Sequence, residues 1–412
     1  MRVSFTVVLF LASALRAAVL PGFRVESVGT TAGFASSIAI DSHGTIYYTT
    51  TAGNLFRFFN GQSSVVSHVN TVAIGDSGLL GVALQNDKTA IVHYTTPGQV
   101  SDVISAIDID TGTETVLHAF VCDKDLPSRG SPPEHHGGNP SVASDGSIFV
   151  GIGDYGGGAI AALPDWNGGK IFRLKPDGSV EQLARGFRNP FDMVWDDANQ
   201  RAIAPDNGVA ADDEINIVHA GDFCGWPYTM GNAPPIDGAV PPVYTFPTVV
   251  APTGIIAVNG RNPFFKSGYL LGAFVTKAIY YIPDIDARPF PDPIAVTSGE
   301  VGLVIDVAQA PNGDVFFVTS NGIKKLIPPQ PGDCNGDGIV DAADVAALTQ
   351  ELADGDPHPT FTAQDGAFRG SWGCDVDQNG MIDSRDMAAL LTRLAGRSRA
   401  VHVGMSPPAG RP

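Results

Sequence analysis

Over its first three quarters the chain alternates short apolar runs, rich in Val, Ile, Phe and Tyr, with clusters of Gly, Asp, Asn and Pro. Such runs predict β-strands and such clusters predict turns. Three segments share one plan: Ile38–Tyr48, Val142–Val150 and Val307–Phe317 each place an Asp or Asn and a Gly between two apolar runs, the pattern of a tight hairpin. Weaker copies stand at Gln85–Thr89, Trp195–Gln200 and Phe265–Tyr269. A hairpin signature recurring every 45–70 residues or so has the period of propeller blades. About 300 residues at about 50 per blade predicts six blades, and therefore an all-β, six-bladed propeller over 19–327. A pair of β-sandwiches, the competing architecture, has no reason to repeat its turn at that period.

The pattern changes after Ile327. Pro328, Pro329 and Pro331 make 328–332 a stiff linker. Beyond it, 331–390 holds twelve acids against two arginines, crowded enough to suggest cation ligands. The run Asp333, Asn335, Asp337, Gly338, Ile339, Asp341, Asp344 has oxygen side chains at positions 1, 3, 5, 9 and 12 of a calcium loop. Glycine stands at 6 and a backbone carbonyl serves at 7. Asp375, Asp377, Asn379, Gly380, Met381, Asp383 and Asp386 repeat it. Each loop runs into a helix whose leucines, Leu348 and Leu352 or Leu390 and Leu394, are four apart and share one face. The expectation is a small helical module over 333–396 holding two Ca²⁺, with a loose end at 397–412.

Composition and charge narrow the partners. Acids outnumber bases 43 to 25, for a net charge of −18, so the surface repels nucleic acid. Met1-Arg2, an apolar run to Leu15 and small residues at Ala17-Ala18 read as a signal peptide over 1–18. The run is too short to span a bilayer, so the expected product is secreted, periplasmic or at the cell surface and is not transmembrane. Of the four cysteines, Cys334 and Cys374 flank the calcium loops and are placed to bridge; no rule of spacing settles Cys122 and Cys224.

Several polar stretches interrupt the strands. His135, before Gly137-Gly138, is a candidate general base because imidazole titrates near working pH. Arg188, before Asn189-Pro190, could stabilise a developing anion. The loop from Asp206 to Glu214 offers oxygens to a hard cation. Each has a plainer reading, as a structural histidine, a turn cap or a solvated acidic loop, and the residues alone leave both open.

In order, these segments resemble the soluble quinoprotein glucose/sorbosone dehydrogenase family over 20–327. The resemblance is carried by Leu20-Pro21-Gly22-Phe23, Gly78–Ala83, His135–Gly138, Gly153-Asp154, Gly169–Arg173, Arg188-Asn189-Pro190, Asp212–Asn216 and Gly225-Trp226-Pro227. It implies a six-bladed propeller that oxidises aldoses or related sugars with pyrroloquinoline quinone (PQQ) and calcium. His135 would take the proton of the sugar hydroxyl, Arg188 and Asn189 would contact the quinone, and Asp76 would lie near it. The carbonyls of Gly208 and Val209 would bind the propeller's own calcium. No haem motif is present, so electrons would leave to an external acceptor. The segment 331–396 resembles a type I dockerin, which implies docking to a cohesin-type protein.

The chain also departs from both patterns. The family's Arg-x-Arg-Asp-Val in the last blade is Leu303-Val304-Ile305-Asp306-Val307, without either arginine. A family lysine falls near Val275, with Lys277 two residues on. Asn139 replaces an arginine and Cys224 an aromatic residue. The dockerin recognition pairs are Ala342-Ala343 and Ser384-Arg385 rather than Ser/Thr. The leading expectation is a PQQ-dependent sugar dehydrogenase. The alternative is a non-catalytic propeller that binds glycan or protein and is anchored through the calcium module.

Overall fold

The computed structural model describes residues 23–122, 134–262, 264–297, 299–354 and 372–403. The signal-peptide expectation and part of the loose end lie outside these residues. The first strand, β1, is Arg24–Thr30. Blade one is β2 (Ala35–Ile40), β3 (Ile46–Thr50), β4 (Asn54–Phe59) and β5 (Gln62–His68). Blade two is β6 (Leu79–Asn86), β7 (Thr89–Thr95), β8 (Ser101–Asp108) and β9 (Glu114–Val121). Blade three is β10 (Ser141–Val142), β11 (Ile148–Ile152), β12 (Lys170–Leu174) and β13 (Val180–Arg185). Blade four is β14 (Val194–Asp196), β15 (Arg201–Asp206), β16 (Glu214–Val218) and β17 (Tyr244–Thr245). Blade five is β18 (Pro252–Ala257), β19 (Tyr269–Ala273), β20 (Ala278–Ile282) and β21 (Ile294–Ala295). Blade six is β22 (Asp306–Gln309), β23 (Val315–Thr319) and β24 (Gly322–Ile327), completed by β1 on the outside.

The six turns singled out in the sequence are the six connections between the first and second strand of each blade. The turn acids act locally. Asp41 Oδ1 accepts from the amides of His43 and Thr45, Asp145 Oδ1 from Ser147, and Asn312 Oδ1 from Asp314. Middle strands such as β3 and β11 are buried along their whole length, whereas the edge strand β5 is mostly exposed serines and polar residues. The apolar core is divided among the gaps between neighbouring blades. Tyr47 and Leu55 pack on Val82 and Val92, Ile104 on Val150, Ile171 on Ala204, Ile215 on Ile255, Leu270 on Phe317, and Ala35 on Val318.

The ring closes because the chain's two propeller ends share one sheet: β1 pairs with β24 from Arg24↔Ile327 to Thr30↔Gly322. Near the axis, buried side chains sew the first strands together. Asp306 accepts from Ser37 Oγ and the Ile38 amide, both at 2.8 Å, and Asp192 accepts from the Ile255 amide at 2.7 Å and Asn139 Nδ2 at 3.2 Å. Burial pushes Asp306 up to about 6, and burial followed by the charge of Asp306 pushes Asp192 well above the usual carboxylate range. Both acids hold protons in the folded state at a pH where the unfolded chain has lost them. Stability therefore falls as pH rises from about 4 through about 6. In excess calcium, Tm is expected to be higher at about pH 5.5 than at about pH 7.5 by calorimetry. Equal or inverted values would overturn this reading of the axial acids.

The C-terminal module has α1 (Ala342–Asp354) and α2 (Ser384–Val403) packed around Val340, Leu348, Ile382 and Leu390, with Cys334 bonded to Cys374. Helix α2 runs to Val403, which corrects the loose end expected after Gly396. The run from Arg397 to Val403 contains no proline, and its Arg and Ala residues favour helix. Successive connections alternate between the two ends of the propeller, so the module, leaving from β24, sits at the end where Phe264 lies. Phe264 packs edge-on against Trp372 at 4.8 Å. Gly338 meets Arg24 so closely that a Cβ there would fall 2.1 Å from Nη1, and its φ of +89° excludes a side chain as well. Among the described residues no helix is long and apolar enough to cross a membrane.

Candidate active site

At the opposite end of the propeller, the loops β5–β6, β9–β10, β11–β12, β13–β14 and β15–β16 carry the predicted residues into one linked cluster. His135 follows β9 with φ +61°, in the left-handed region. Its imidazole is 12% exposed, and Nδ1 lies 2.6 Å from Asp154 Oδ1. Asp154, 2% exposed in the β11–β12 loop, also accepts from the amides of Gly156 and Gly158 and from Trp226 Nε1 at 2.8 Å. A carboxylate only accepts, so Nδ1 of His135 carries the proton and Nε2 keeps its lone pair. This is the arrangement that orients a general base and steadies its cationic form.

Two glycines allow this approach. A Cβ on Gly137 would lie 2.0 Å from the Gly151 carbonyl oxygen, and one on Gly153 would lie 2.1 Å from that of His135. The His-x-Gly-Gly spacing is therefore a packing requirement of the base loop against β11. The backbone amide of His135 donates to Asp76 Oδ2, so Asp76 holds the base's main chain, while its buried Oδ1 has no hydrogen-bond partner.

The Arg188-Asn189 pair joins the same cluster. The amides of Arg188 and Asn189 donate to the two oxygens of Asp206 at 2.8 and 2.6 Å. The Asp154 amide donates to the Arg188 carbonyl, and Asn189 Oδ1 accepts from the Gly137 amide at 3.3 Å. Arg188 Nη1 donates to the Asn207 carbonyl at 3.0 Å. The Gly208 amide donates to Asp213 Oδ1, and Val209 is 62% exposed at the lip of the loop. Burial and then the charge of Glu214 push Asp206 well up, and burial pushes Glu214 up to about 7. A cation bound at the 207–209 loop would favour the charged forms of both acids.

Lys170 reads as one letter of a motif but is fully buried, with Nζ donating to the carbonyls of Ile160, Ala161 and Gly168 at 2.7–3.0 Å. It fastens the β11–β12 loop that carries Asp154. Lys170→Met is expected to cost about 3–5 kcal/mol and to lower Tm by roughly 5–10 °C in a thermal melt.

Other expectations resolve differently. Lys277 is not on a strand but in the β19–β20 turn, with φ +54°, at the same end as the site, and Val275 is exposed beside it. Leu303 is half-buried, and Ile305 is 4% exposed in the core with Ala35, Ile38 and Val318, so at these two positions the last blade carries apolar side chains and no cation. Cys122 and Cys224 are buried and not bonded to each other. In the module, Asp344 and Asp386 accept equivalent amides, Asn335 and Asp341 in one loop and Val376, Asp377 and Asp383 in the other. Asp375, Asp377 and Asp386 each place an oxygen within 4.8 Å of the others. Asp333 and Asp375 accept from the amides of Gly338 and Gly380, the position-6 glycines. The side chain of Arg385 pairs with Asp383 at 2.6 Å, and Ala342, Ala343 and Ser384 are exposed at the helix starts.

Residues 34–327 match the profile of the glucose/sorbosone dehydrogenase family, and 331–395 match that of the dockerin type I domain. The chain belongs to the glucose/sorbosone dehydrogenase family and carries a dockerin type I domain. It is 24% identical over 230 residues to an uncharacterized protein of Synechocystis, covering 47% of this chain and 55% of that one. It is 24% identical over 200 residues to quinoprotein glucose dehydrogenase B of Acinetobacter calcoaceticus, covering 39% and 41%. The chain thus spans about half the length of the curated relatives it matches. The PQQ-bound aldose sugar dehydrogenase of Streptomyces coelicolor superposes with a TM-score of 0.63 at 23% identity, over 75% of this chain and 99% of that one, a likeness of fold.

Proposed function

We propose that this chain is an exported, PQQ-dependent sugar dehydrogenase in which His135 is the base. The observation that carries the reading is the His135–Asp154 pair, which leaves Nε2 for a substrate, in a loop that Asn189 holds through the Gly137 amide. Nε2 takes the proton of the sugar hydroxyl, and Asp154 stabilises the resulting imidazolium while Trp226 and two glycine amides hold Asp154 in place. When bound, the quinone supplies the two-electron acceptor for the hydride of the same carbon, its carbonyl polarised by calcium.

The residues present fit the reacting end of that group. Arg188 is half-buried with Nη1 engaged by the Asn207 carbonyl, Asn189 follows it in the chain, and Asp76, whose Oδ1 has no hydrogen-bond partner among the described residues, holds the backbone of the base. Gly208 and Val209 are proposed to offer their carbonyls to the calcium. The two positions where the family has arginines, Leu303 and Ile305, carry no cation to meet the quinone's carboxylates. Each missing charge-assisted contact is worth roughly 1.5–3 kcal/mol. Leu303→Arg is therefore expected to tighten quinone binding about tenfold or more in calorimetric titration, with His135 untouched. An unchanged affinity would place the carboxylates elsewhere.

The absence of those arginines is also what favours a second reading, a propeller that binds glycan or protein without turnover. Titration of the full chain with PQQ and calcium, followed by dye reduction with a panel of aldoses, separates the two. Saturable binding with sugar-dependent reduction supports the dehydrogenase, and no binding at high micromolar quinone supports the binding module. The calcium module is proposed to attach the enzyme to a cohesin-type protein through the exposed starts of α1 and α2, outside the cytoplasm after loss of 1–18. Electrons would pass to an external acceptor.

A further inference from the structure

We propose that blade two contains a buried transition-metal site of the zinc class, formed by His93, Asp102, Cys122 and His136. It is separate from the calcium loops and from the residues assigned to the sugar and the quinone. All four side chains are fully buried. They come from β7, from β8, from the residue after β9 and from the loop that carries His135.

The ligand atoms already converge. His136 Nδ1 lies 3.1 and 3.2 Å from the two oxygens of Asp102, Cys122 Sγ lies 3.8 Å from Asp102 Oδ2, and His93 Nε2 lies 4.0 Å from Asp102 Oδ1. Metal–ligand bonds of about 2.0–2.3 Å in a tetrahedron set neighbouring ligand atoms roughly 3.3–3.8 Å apart. Asp102, Cys122 and His136 place their ligand atoms within 4.8 Å of one another, and His93, which reaches Asp102 alone of the three, would move by about an ångström to complete the set.

One of the two imidazoles already presents a lone pair to the cluster. His93 Nδ1 is 2.7 Å from the Gly138 carbonyl, which only accepts, so the proton is on Nδ1 and the lone pair is on Nε2. That Nε2 is fully buried and has no hydrogen-bond partner among the described residues. A ring whose far nitrogen donates to a backbone carbonyl is the usual outer-sphere support of a metal-bound histidine. His136 Nε2 is 3.3 Å from the Gln99 amide nitrogen. Without metal, His136 Nδ1 donates to Asp102; a metal would replace that proton, and the Gln99 amide, turned over, would accept the proton then carried by Nε2. Asp102 Oδ1 is further held by the Thr95 hydroxyl at 2.8 Å.

Charge and softness select the ion. One carboxylate, one thiolate and two neutral imidazoles balance a divalent cation, as a site without solvent contact requires. A sulfur ligand and two nitrogens favour zinc or cobalt over calcium or magnesium. His136 adjoins His135 in the chain, so the ion would pin the loop that holds the base.

The test is metal analysis of the full chain, produced with zinc in the medium and exchanged into millimolar calcium buffer so that the helical module is saturated. About one equivalent of zinc per chain is expected in the wild type and in Cys224→Ser, and at least tenfold less in Cys122→Ser and His93→Gln. Chain produced with cobalt should show a thiolate-to-cobalt charge-transfer band that persists in Cys224→Ser. If the Cys122 and His93 variants do not fold, that band in wild type and Cys224→Ser decides alone. Less than a tenth of an equivalent of transition metal in the wild type, a cobalt form without the band, or metal unchanged in Cys122→Ser would reduce the cluster to a hydrogen-bond network and overturn the proposal.

Discussion

His135→Ala is expected to lower kcat/KM for sugar-dependent dye reduction by about 10²–10⁴ in quinone-loaded protein, while quinone affinity and Tm stay close to wild type. The size follows from removing the only group in the cluster with a free basic nitrogen among the described residues. Asp154→Asn should fall in the same direction by a smaller factor, because an amide cannot stabilise the imidazolium as a carboxylate does. Its pH–rate profile should shift as well, which a merely structural loss would not produce. Full activity in His135→Ala would remove the base from this site and with it the proposed chemistry.

Chelating calcium from the full chain is expected to unfold the C-terminal module while the propeller stays folded. Each loop gathers four aspartates: Asp333, Asp337, Asp341 and Asp344, then Asp375, Asp377, Asp383 and Asp386. Without a cation, burial and then neighbouring acids push Asp333 and Asp375 above the usual range. The module's core is small, and a domain of that size rarely holds itself by apolar burial alone. At a thousandfold excess of calcium over Kd, each site contributes about 4 kcal/mol of stability. Far-ultraviolet circular dichroism should lose the signal of α1 and α2 in EDTA and regain it with calcium, and Asp344→Ala should weaken that recovery. A helical signal indifferent to EDTA would sink the calcium assignment.

Both predictions rest on features of very different visibility in the sequence. A calcium loop is twelve contiguous residues whose ligands are set by spacing, so both loops could be read directly. The blade turns are equally local: an Asp or Asn that caps its own hairpin does so whatever surrounds it, which is why six turn signals became six blades. The base could be marked as a candidate from His135-His136-Gly137-Gly138, but its partner could not. Asp154 stands only as a Gly-Asp after an apolar strand, and nothing near it points to His135, nineteen residues earlier. Asp76 aligned with a residue beside the quinone, yet its carboxylate is bound to the backbone of the base.

What the chain determined by itself is the set of interactions between near neighbours: strand and turn alternation, the blade count, the two calcium loops and the glycines that let backbones approach. Tertiary structure alone decided the pairing of β1 with β24, the seat of the module against Arg24 and Phe264, and the meeting of His93, Asp102, Cys122 and His136. These contacts join residues far apart in the chain. Their partners are chosen by closure of the ring and by burial, which removes water as the competing partner, and neither of these leaves a local pattern to read.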